Sequence, residues 1–276
     1  MANPVFSRSS AFNQPPAYQQ PYGYQQQGYG YQQQSPYGYQ QQPGYAQPQQ
    51  QGLAGVMTLD DVLAKTSTTL LVVFAAAAVS FMLFPSNLLM PAAIVGGIGA
   101  LIVSLVVMAR QKVPVGGVLG YAVLEGLFIG AISKVFEIMW PGIAVSAVLA
   151  TFVTAIATLA AYKFFNIRVT AKFRKMVTIG TMAIAGVFLV NFVLAMFGIN
   201  TGLRAIGSNA GLLAIGVSIL AVCLAVFNLV MDFDYVERGI ASQAPAQESW
   251  RAAFAITVTM VWLYIEILRI LSYFRD

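Results

Sequence analysis

The sequence predicts an all-α membrane protein, a seven-transmembrane-helix bundle that follows a disordered N-terminal tail. Three observations lead to this fold class. The 276 residues are 58% hydrophobic and only 9% charged, whereas soluble domains carry roughly 25% charged residues. Seven separate segments are long and apolar enough to cross a bilayer. The N-terminal stretch, in contrast, consists almost entirely of Gln, Tyr, Gly and Pro.

Residues 1–57 form the predicted tail and residues 58–276 the predicted membrane domain. No charged residue occurs between Arg8 and Asp60. A chain with so few aliphatic residues cannot offset the entropy lost on ordering, so the tail is predicted to be disordered. Its tyrosines, spaced between glutamine runs, also suit weak self-association or the binding of a partner.

The spans follow from length, since a helix needs ~20 apolar residues to cross a ~30 Å hydrocarbon core. Thr58 and the two aspartates after it form a capped lead-in to the first helix. Pro85 and Pro91 bracket the first connection, and Pro114 precedes the third span. The predicted spans are Ser67–Phe84, Met90–Met108, Val118–Met139, Ile143–Tyr162, Val177–Phe197, Leu212–Phe233 and Ala253–Ser272.

The basic residues predict the orientation in the cell membrane, because loops on the cytoplasmic side carry an excess of Lys and Arg. One side of the predicted topology collects Lys65, Arg110, Lys112, Lys163, Arg168, Lys172, Arg174, Lys175, Arg238 and Arg251. The other side collects Lys134, Arg204 and Arg275. The N-terminus is therefore expected in the cytoplasm and the C-terminus outside.

Composition also limits the function. The chain has no histidine and a single cysteine, Cys223, which removes Ser-His, Cys-His and His-metal arrangements. The net charge of +5 is spread over loops, so it indicates topology and not nucleic-acid binding. We expect a protein that is not an enzyme, needs no cofactor and has the lipid bilayer as its first partner.

Acidic residues inside apolar helices are the candidate functional groups: Glu125, Asp232, Asp234 and Glu266. A charge at the bilayer centre costs about 2.5–3.5 kcal/mol on insertion scales, so such residues are rare and usually functional. Structural roles stay open for each. Arg238 follows Asp234 at i+4 and Arg269 follows Glu266 at i+3, and both could act as charge partners.

The positions of these acids in the predicted spans differ. Glu125 is expected about two helical turns inside the cytoplasmic edge of the third span. Asp232 and Asp234 close the sixth span and point ~200° apart on a helix. Glu266 is expected near the middle of the last span.

At these residues the chain resembles the Bax inhibitor-1-like family, also called transmembrane Bax inhibitor motif proteins. The likeness covers about residue 60 to the end, with the tail outside it. The long leader and the closing Ser-Tyr-Phe-Arg are similar to the actinobacterial branch of this family. The stretches that carry the likeness are Tyr121-Ala122-Val123-Leu124-Glu125-Gly126-Leu127-Phe128-Ile129-Gly130, Phe233-Asp234 and Leu263-Tyr264-Ile265-Glu266-Ile267-Leu268-Arg269-Ile270-Leu271.

The resemblance implies six helices around a central seventh and a calcium leak gated by pH. It further implies a latch, a carboxylate at the end of the sixth span that shares a proton with one in the last span. By position this pair is Asp234 and Glu266, which are also the candidate ligands for permeant Ca²⁺. Counting the rise per residue puts Asp234 and Glu266 ~15 Å or more apart in depth. Glu125 is expected nearer in depth to Asp232 and Asp234 and is therefore an alternative partner for them.

Two further classes of membrane protein fit the sequence less well than a channel does. An intramembrane aspartyl protease also needs two acids on adjacent helices, but the chain has no Gly-x-Gly-Asp and its second acid is Glu266. A retinal protein would need a lysine in the last span, which has none. The stronger alternative is a non-conducting adaptor that binds and regulates a membrane protease or another membrane protein through its tail.

Overall fold

The described part of the chain folds into seven α-helices, each long and apolar enough to span a membrane, as the sequence predicts. The computed structural model describes residues 55–165, 167–199, 201–208 and 210–275. The predicted tail, up to residue 54, lies outside the described residues. The helices are α1 (Leu59–Leu83), α2 (Ser86–Ala109), α3 (Val115–Met139), α4 (Ile143–Phe164), α5 (Ala171–Met196), α6 (Leu212–Ala241) and α7 (Glu248–Ser272).

Several helices extend beyond the predicted spans because their ends are polar. α1 begins at Leu59 and not at Ser67, and the Thr58 hydroxyl caps it by accepting from the Asp61 amide at 3.2 Å. α6 runs eight residues beyond Phe233. The expectation that Pro91 bounds the first connection is wrong, since Pro91 lies inside α2 and Pro85 alone precedes that helix.

Contacts between helix ends define two faces of the bundle. At one face the starts of α5 and α7 meet the ends of α6 and α2, through Arg174 with Asp234 and Arg251 with the Arg110 carbonyl. We call this the N-terminal face because α1 also begins there. At the opposite, C-terminal face, Lys134 near the end of α3 bonds to a carbonyl just beyond the end of α1.

α7 is the central helix. Eighteen of its 25 residues are buried, and it packs against α1, α3, α4 and α6. The remaining two helices lie further out, with α2 chiefly on α3 and α5 on α6. The implied arrangement of a central seventh helix is therefore present, with an inner ring of four helices and two peripheral ones.

Arg251 fastens the start of α7 at the N-terminal face. Its side chain is fully buried. Its Nε donates to Glu248 at 2.8 Å and its Nη2 donates to the carbonyl of Gln111 at 2.6 Å. The guanidinium thus supplies donors to backbone carbonyls after the end of α2, where no helical amide remains to pair with them.

Residues 55–57, which the sequence assigns to the tail, pair with the loop between α6 and α7. The Met57 amide donates to the Ala244 carbonyl at 2.7 Å, and the Ala246 amide donates to the Gly55 carbonyl at 2.8 Å. The Met57 side chain is 2% exposed and belongs to the main core cluster. The packed membrane domain therefore includes at least these three residues.

Candidate functional site

Asp234 lies near the N-terminal face and binds two arginines. Arg174, close to the start of α5, donates to its Oδ2 at 3.2 Å. Arg238 pairs with the same oxygen from one turn later in α6, as the i+4 spacing predicts. The Asp234 side chain is 13% exposed, so this ion-pair cluster lies at the edge of the bundle.

Asp232 points in a different direction and is fully buried. The Thr259 hydroxyl donates to its Oδ2 at 2.7 Å. The ~200° between residues two apart on a helix explains why Asp232 and Asp234 reach different partners. Thr259 is the twelfth of the 25 residues of α7, so Asp232 is level with the middle of the central helix.

Glu125 is the deepest of the acids along its own helix. It lies ten residues after the start of α3 at Val115, which corresponds to ~15 Å. α3 begins three residues before the predicted span, so Glu125 lies about three turns from the start of its helix. Glu125 is 9% exposed, and among the residues that the structure describes, none forms a hydrogen bond or ion pair with its carboxylate.

Contacts on either side of Glu125 fix its level against α7. Four residues earlier, Tyr121 meets Phe254 edge-on with ring centroids 5.0 Å apart. Eight residues later, the hydroxyls of Ser133 and Tyr264 are 2.7 Å apart. Glu125 is therefore level with residues 257–258, within ~3 Å in depth of the Asp232–Thr259 contact. The two mid-depth carboxylates approach α7 from different faces.

Glu266 was expected near the middle of the last span, but it lies towards the C-terminal face. It is the nineteenth of the 25 residues of α7. It is 1% exposed and binds two arginines. Arg204, in the connection between α5 and α6, donates from Nη1 to Glu266 Oε1 at 2.9 Å. Nη1 of Arg269 lies 3.3 Å from Glu266 Oε2. The Arg204 guanidinium also lies 3.9 Å from the centroid of the Phe188 ring.

Asp234 and Glu266 are not in contact, so the latch pair carried over from the family is not formed in this structure. Thr259 is level with Asp232, and Glu266 lies seven residues further along α7, or ~10 Å. Asp234 lies two residues away in the opposite sense, which adds ~3 Å. The resulting ~13 Å is close to the depth difference that simple counting along the sequence gives.

Neither predicted calcium ligand forms part of a resident metal site. Within the described ranges, no group of three or more His, Cys, Asp or Glu side chains could hold a metal ion. Ca²⁺ takes 6–8 oxygen ligands, whereas Asp234 and Glu266 each bind two arginines. In this arrangement both carboxylates act as anchors for helix ends.

Sequence reasoning missed three partners of the acids: Arg174, Arg204 and Thr259. Arg204 is 62 positions from Glu266, and a loop residue at that distance gives no periodic signal. Its only mark was its place among the few basic residues of the second side. Thr259 donates to Asp232 from another helix. Threonines are common in apolar helices, so nothing in the sequence distinguishes this one.

The described residues form seven apolar helices, one of which, α7, is largely buried by its neighbours, and they carry carboxylates at three levels. This arrangement defines a multi-pass membrane protein with a charged interior. Comparison with protein families adds the identity. The Bax inhibitor 1 like family matches residues 3–276, and the chain belongs to this family. The match includes the tail, which the resemblance had been expected to exclude. Comparison with curated proteins gave no match.

Proposed function

We propose that the protein is a pH-sensitive calcium leak channel, gated by the membrane-embedded carboxylates Glu125, Asp232, Asp234 and Glu266. Glu125 is the observation that carries this proposal. It is a nearly buried carboxylate at mid-depth, with no ion pair to a described residue. Groups of this kind are costly in a membrane interior and mark ion or proton pathways.

In the proposed mechanism, the two ion-pair clusters close the path and the two mid-depth acids select the ion. The arginines at Asp234 and Glu266 occupy the carboxylate oxygens near either face. Release of these arginines exposes a path beside α7. When ionised, Glu125 and Asp232 then offer the hard oxygen ligands that Ca²⁺ prefers. When protonated, the same two side chains carry no charge. Their protonation state makes the flux depend on pH.

Calcium flux into proteoliposomes between pH 5 and 8 tests the proposal. We expect flux in the wild type to vary with pH and Glu125→Gln to remove most of this variation. Glu266→Gln should raise the flux at every pH and keep its pH dependence, because it weakens the hold of Arg204 at the C-terminal face. Asp60→Asn is the control, since Asp60 is exposed at the start of α1 and should change neither property.

Two results would count against a channel. Folded wild-type protein that conducts no calcium at any pH would exclude the leak itself. A pH dependence that survives in Glu125→Gln would remove Glu125 from the gate and leave it a packing residue of α3.

The proposed orientation in the cell membrane places the N-terminal face in the cytoplasm. It rests on the excess of Lys and Arg at that face. A reporter enzyme that is active only outside the cytoplasm, fused after Asp276, should be active. The same reporter fused to the loop between α6 and α7 should be inactive, and the reverse result would invert the topology.

The adaptor alternative is favoured by the attachment of residues 55–57 to the loop between α6 and α7. A partner bound to the tail would act directly on the ends of the two most buried helices. Deletion of residues 1–54 separates the two functions, because it keeps the paired residues. A channel retains its flux after this deletion, whereas an adaptor loses its partner.

A further inference from the structure

A crevice of about 340 Å³ opens between α1 and α4, with α3 and α7 as its floor. Phe74 and Phe81 line it from α1, and Phe152 lines it from α4. The rings of Phe74 and Phe152 stack with centroids 5.9 Å apart. Of the 19 lining residues, only Ser133, Thr151 and Tyr264 carry polar side chains, so the occupant must be apolar.

The three polar residues make hydrogen bonds within the protein. Ser133 bonds to the Tyr264 hydroxyl at 2.7 Å and donates to the Ile129 carbonyl at 2.6 Å. Thr151 donates to the carbonyl of Ala147 at 2.7 Å. The inner crevice therefore presents hydrocarbon and satisfied hydroxyls, an environment that does not favour water.

The crevice has the depth of one leaflet. Along α1 its lining runs from Leu70 to Met82, twelve residues or ~18 Å. Half of a ~30 Å hydrocarbon core is ~15 Å. Met82 lies near the end of α1 and Ala144 near the start of α4, so the crevice occupies the leaflet on the C-terminal face. A long, narrow and apolar occupant fits this shape.

A positive charge lies at the mouth of the crevice. Lys134 follows the lining residue Ser133, and its Nζ donates to the Phe84 carbonyl at 2.7 Å, just beyond the end of α1. An ammonium group has three donors, which leaves two for a phosphate. The nearby backbone amides of Gly142 and Ala144 donate to Glu137 instead, so they do not compete with Lys134 for a phosphate.

We propose that this crevice binds one acyl chain of an anionic phospholipid, with the lipid phosphate at Lys134. The apolar lining between α1 and α4 matches the chain in both chemistry and length. Lysine near a bilayer surface attracts anionic headgroups. The bound lipid fills the gap between α1 and α4 and belongs to the leaflet on the C-terminal face.

Native mass spectrometry of the full chain in detergent tests the proposal, with phosphatidylglycerol and phosphatidylcholine titrated separately. Ala78→Phe places a ring in the crevice, whereas Ala75→Phe makes the same change on an exposed part of α1 outside the lining. We expect the wild type and Ala75→Phe to retain one phosphatidylglycerol and Ala78→Phe to bind it at least fivefold more weakly. Lys134→Gln should weaken phosphatidylglycerol binding and spare phosphatidylcholine.

Equal retention by the two alanine variants would overturn the proposal. Equal weakening of both lipids by Lys134→Gln would overturn the assignment of the phosphate to Lys134. A wild-type dimer that Ala78→Phe dissociates, without a change in bound lipid, would show that a second copy of the chain fills the crevice and would also overturn the proposal.

Discussion

The two sides of the bundle are held together in different ways. On one side α1 and α3 approach so closely that a Cβ atom added at Gly126 or Gly130 would overlap with the α1 backbone. On the other side α5 packs mainly against α6, and only Val177 and Ile184 are buried among its 26 residues. A Cβ atom added at Gly186 in α5 would meet nothing within 4 Å.

We call the closely packed helices α1, α2 and α3 the frame, and we call α5, which has few buried residues, the attached helix. The frame of α1, α2 and α3 depends on close backbone contact, which tolerates no extra atoms. α5 is joined to α6 by a few specific contacts, including the amide of Asn228 on Thr181 at 2.7 Å and Arg174 on Asp234 at 3.2 Å. In the proposed channel, the movement that opens the path is therefore expected on the α5–α6 side.

Gly130→Ala should have the largest effect on stability. The new methyl group would overlap with the Ala77 carbonyl oxygen and the Ser80 hydroxyl, so α1 would have to move. We expect the free energy of unfolding, measured by SDS titration with circular dichroism, to fall by about 3 kcal/mol. A loss below ~1 kcal/mol would mean that α1 shifts easily and that the frame is not fixed.

Arg251→Met should come next. It leaves the Gln111 carbonyl and the Glu248 carboxylate without their buried donor, at a cost of about 2 kcal/mol by the same measurement. Arg251→Lys keeps the charge but has a single nitrogen, so it should recover about half of the loss. If Arg251→Met unfolds like the wild type, the hydrogen bonds of Arg251 to Glu248 and Gln111 contribute no stability.

Asn228→Leu should have a smaller effect, because it acts on the attached helix. It removes the bond to Thr181, and hydrogen bonds between membrane helices contribute ~0.6 kcal/mol on average. We expect a loss of about 1 kcal/mol, and Thr181→Val should show a similar one. The double variant should lose no more than the larger single loss, whereas an additive loss would mean that the two side chains act independently.

Gly186→Ala should have the smallest effect and the opposite sign. The site has room for a methyl group, and alanine is favoured over glycine in a helix by ~1 kcal/mol or less. A slight rise in the midpoint of SDS unfolding is expected. A clear loss would place a neighbour against this face of α5 and would weaken the contrast with Gly130.

The number of helices and their apolar parts could be predicted from the sequence, but hydropathy could not predict their polar ends. Hydropathy detects only residues that suit hydrocarbon. It therefore misses the last eight residues of α6. The polar start of α1 was predicted from the capping pattern at Thr58 and not from hydropathy, and the structure confirms that cap. Pro91 was wrongly expected to bound the connection before α2. Proline is tolerated both before a helix and near its start, so the residue type alone does not distinguish the two positions.

The acids could be found from the sequence, since few charges occur in apolar helices. Their partners could be predicted only within one helix, as for Arg238 and Arg269. Arg204 and Arg174 reach Glu266 and Asp234 from other elements, and such contacts depend on how the helices pack. Glu266 lies six residues before the end of α7 at Ser272. The predicted span ends at the same residue, so the position of Glu266 towards the C-terminal face could have been predicted by counting from that end.

The single cysteine has a practical consequence for the attached helix. Cys223 is exposed on α6, one turn before Phe227, whose ring meets Phe173 of α5 edge-on at 5.5 Å. Because the sequence contains no second cysteine, a nitroxide or fluorophore attached to the unaltered chain reports from this one position. Its spectrum in bilayers of different pH would record whether α5 moves away from α6, without any engineered substitution.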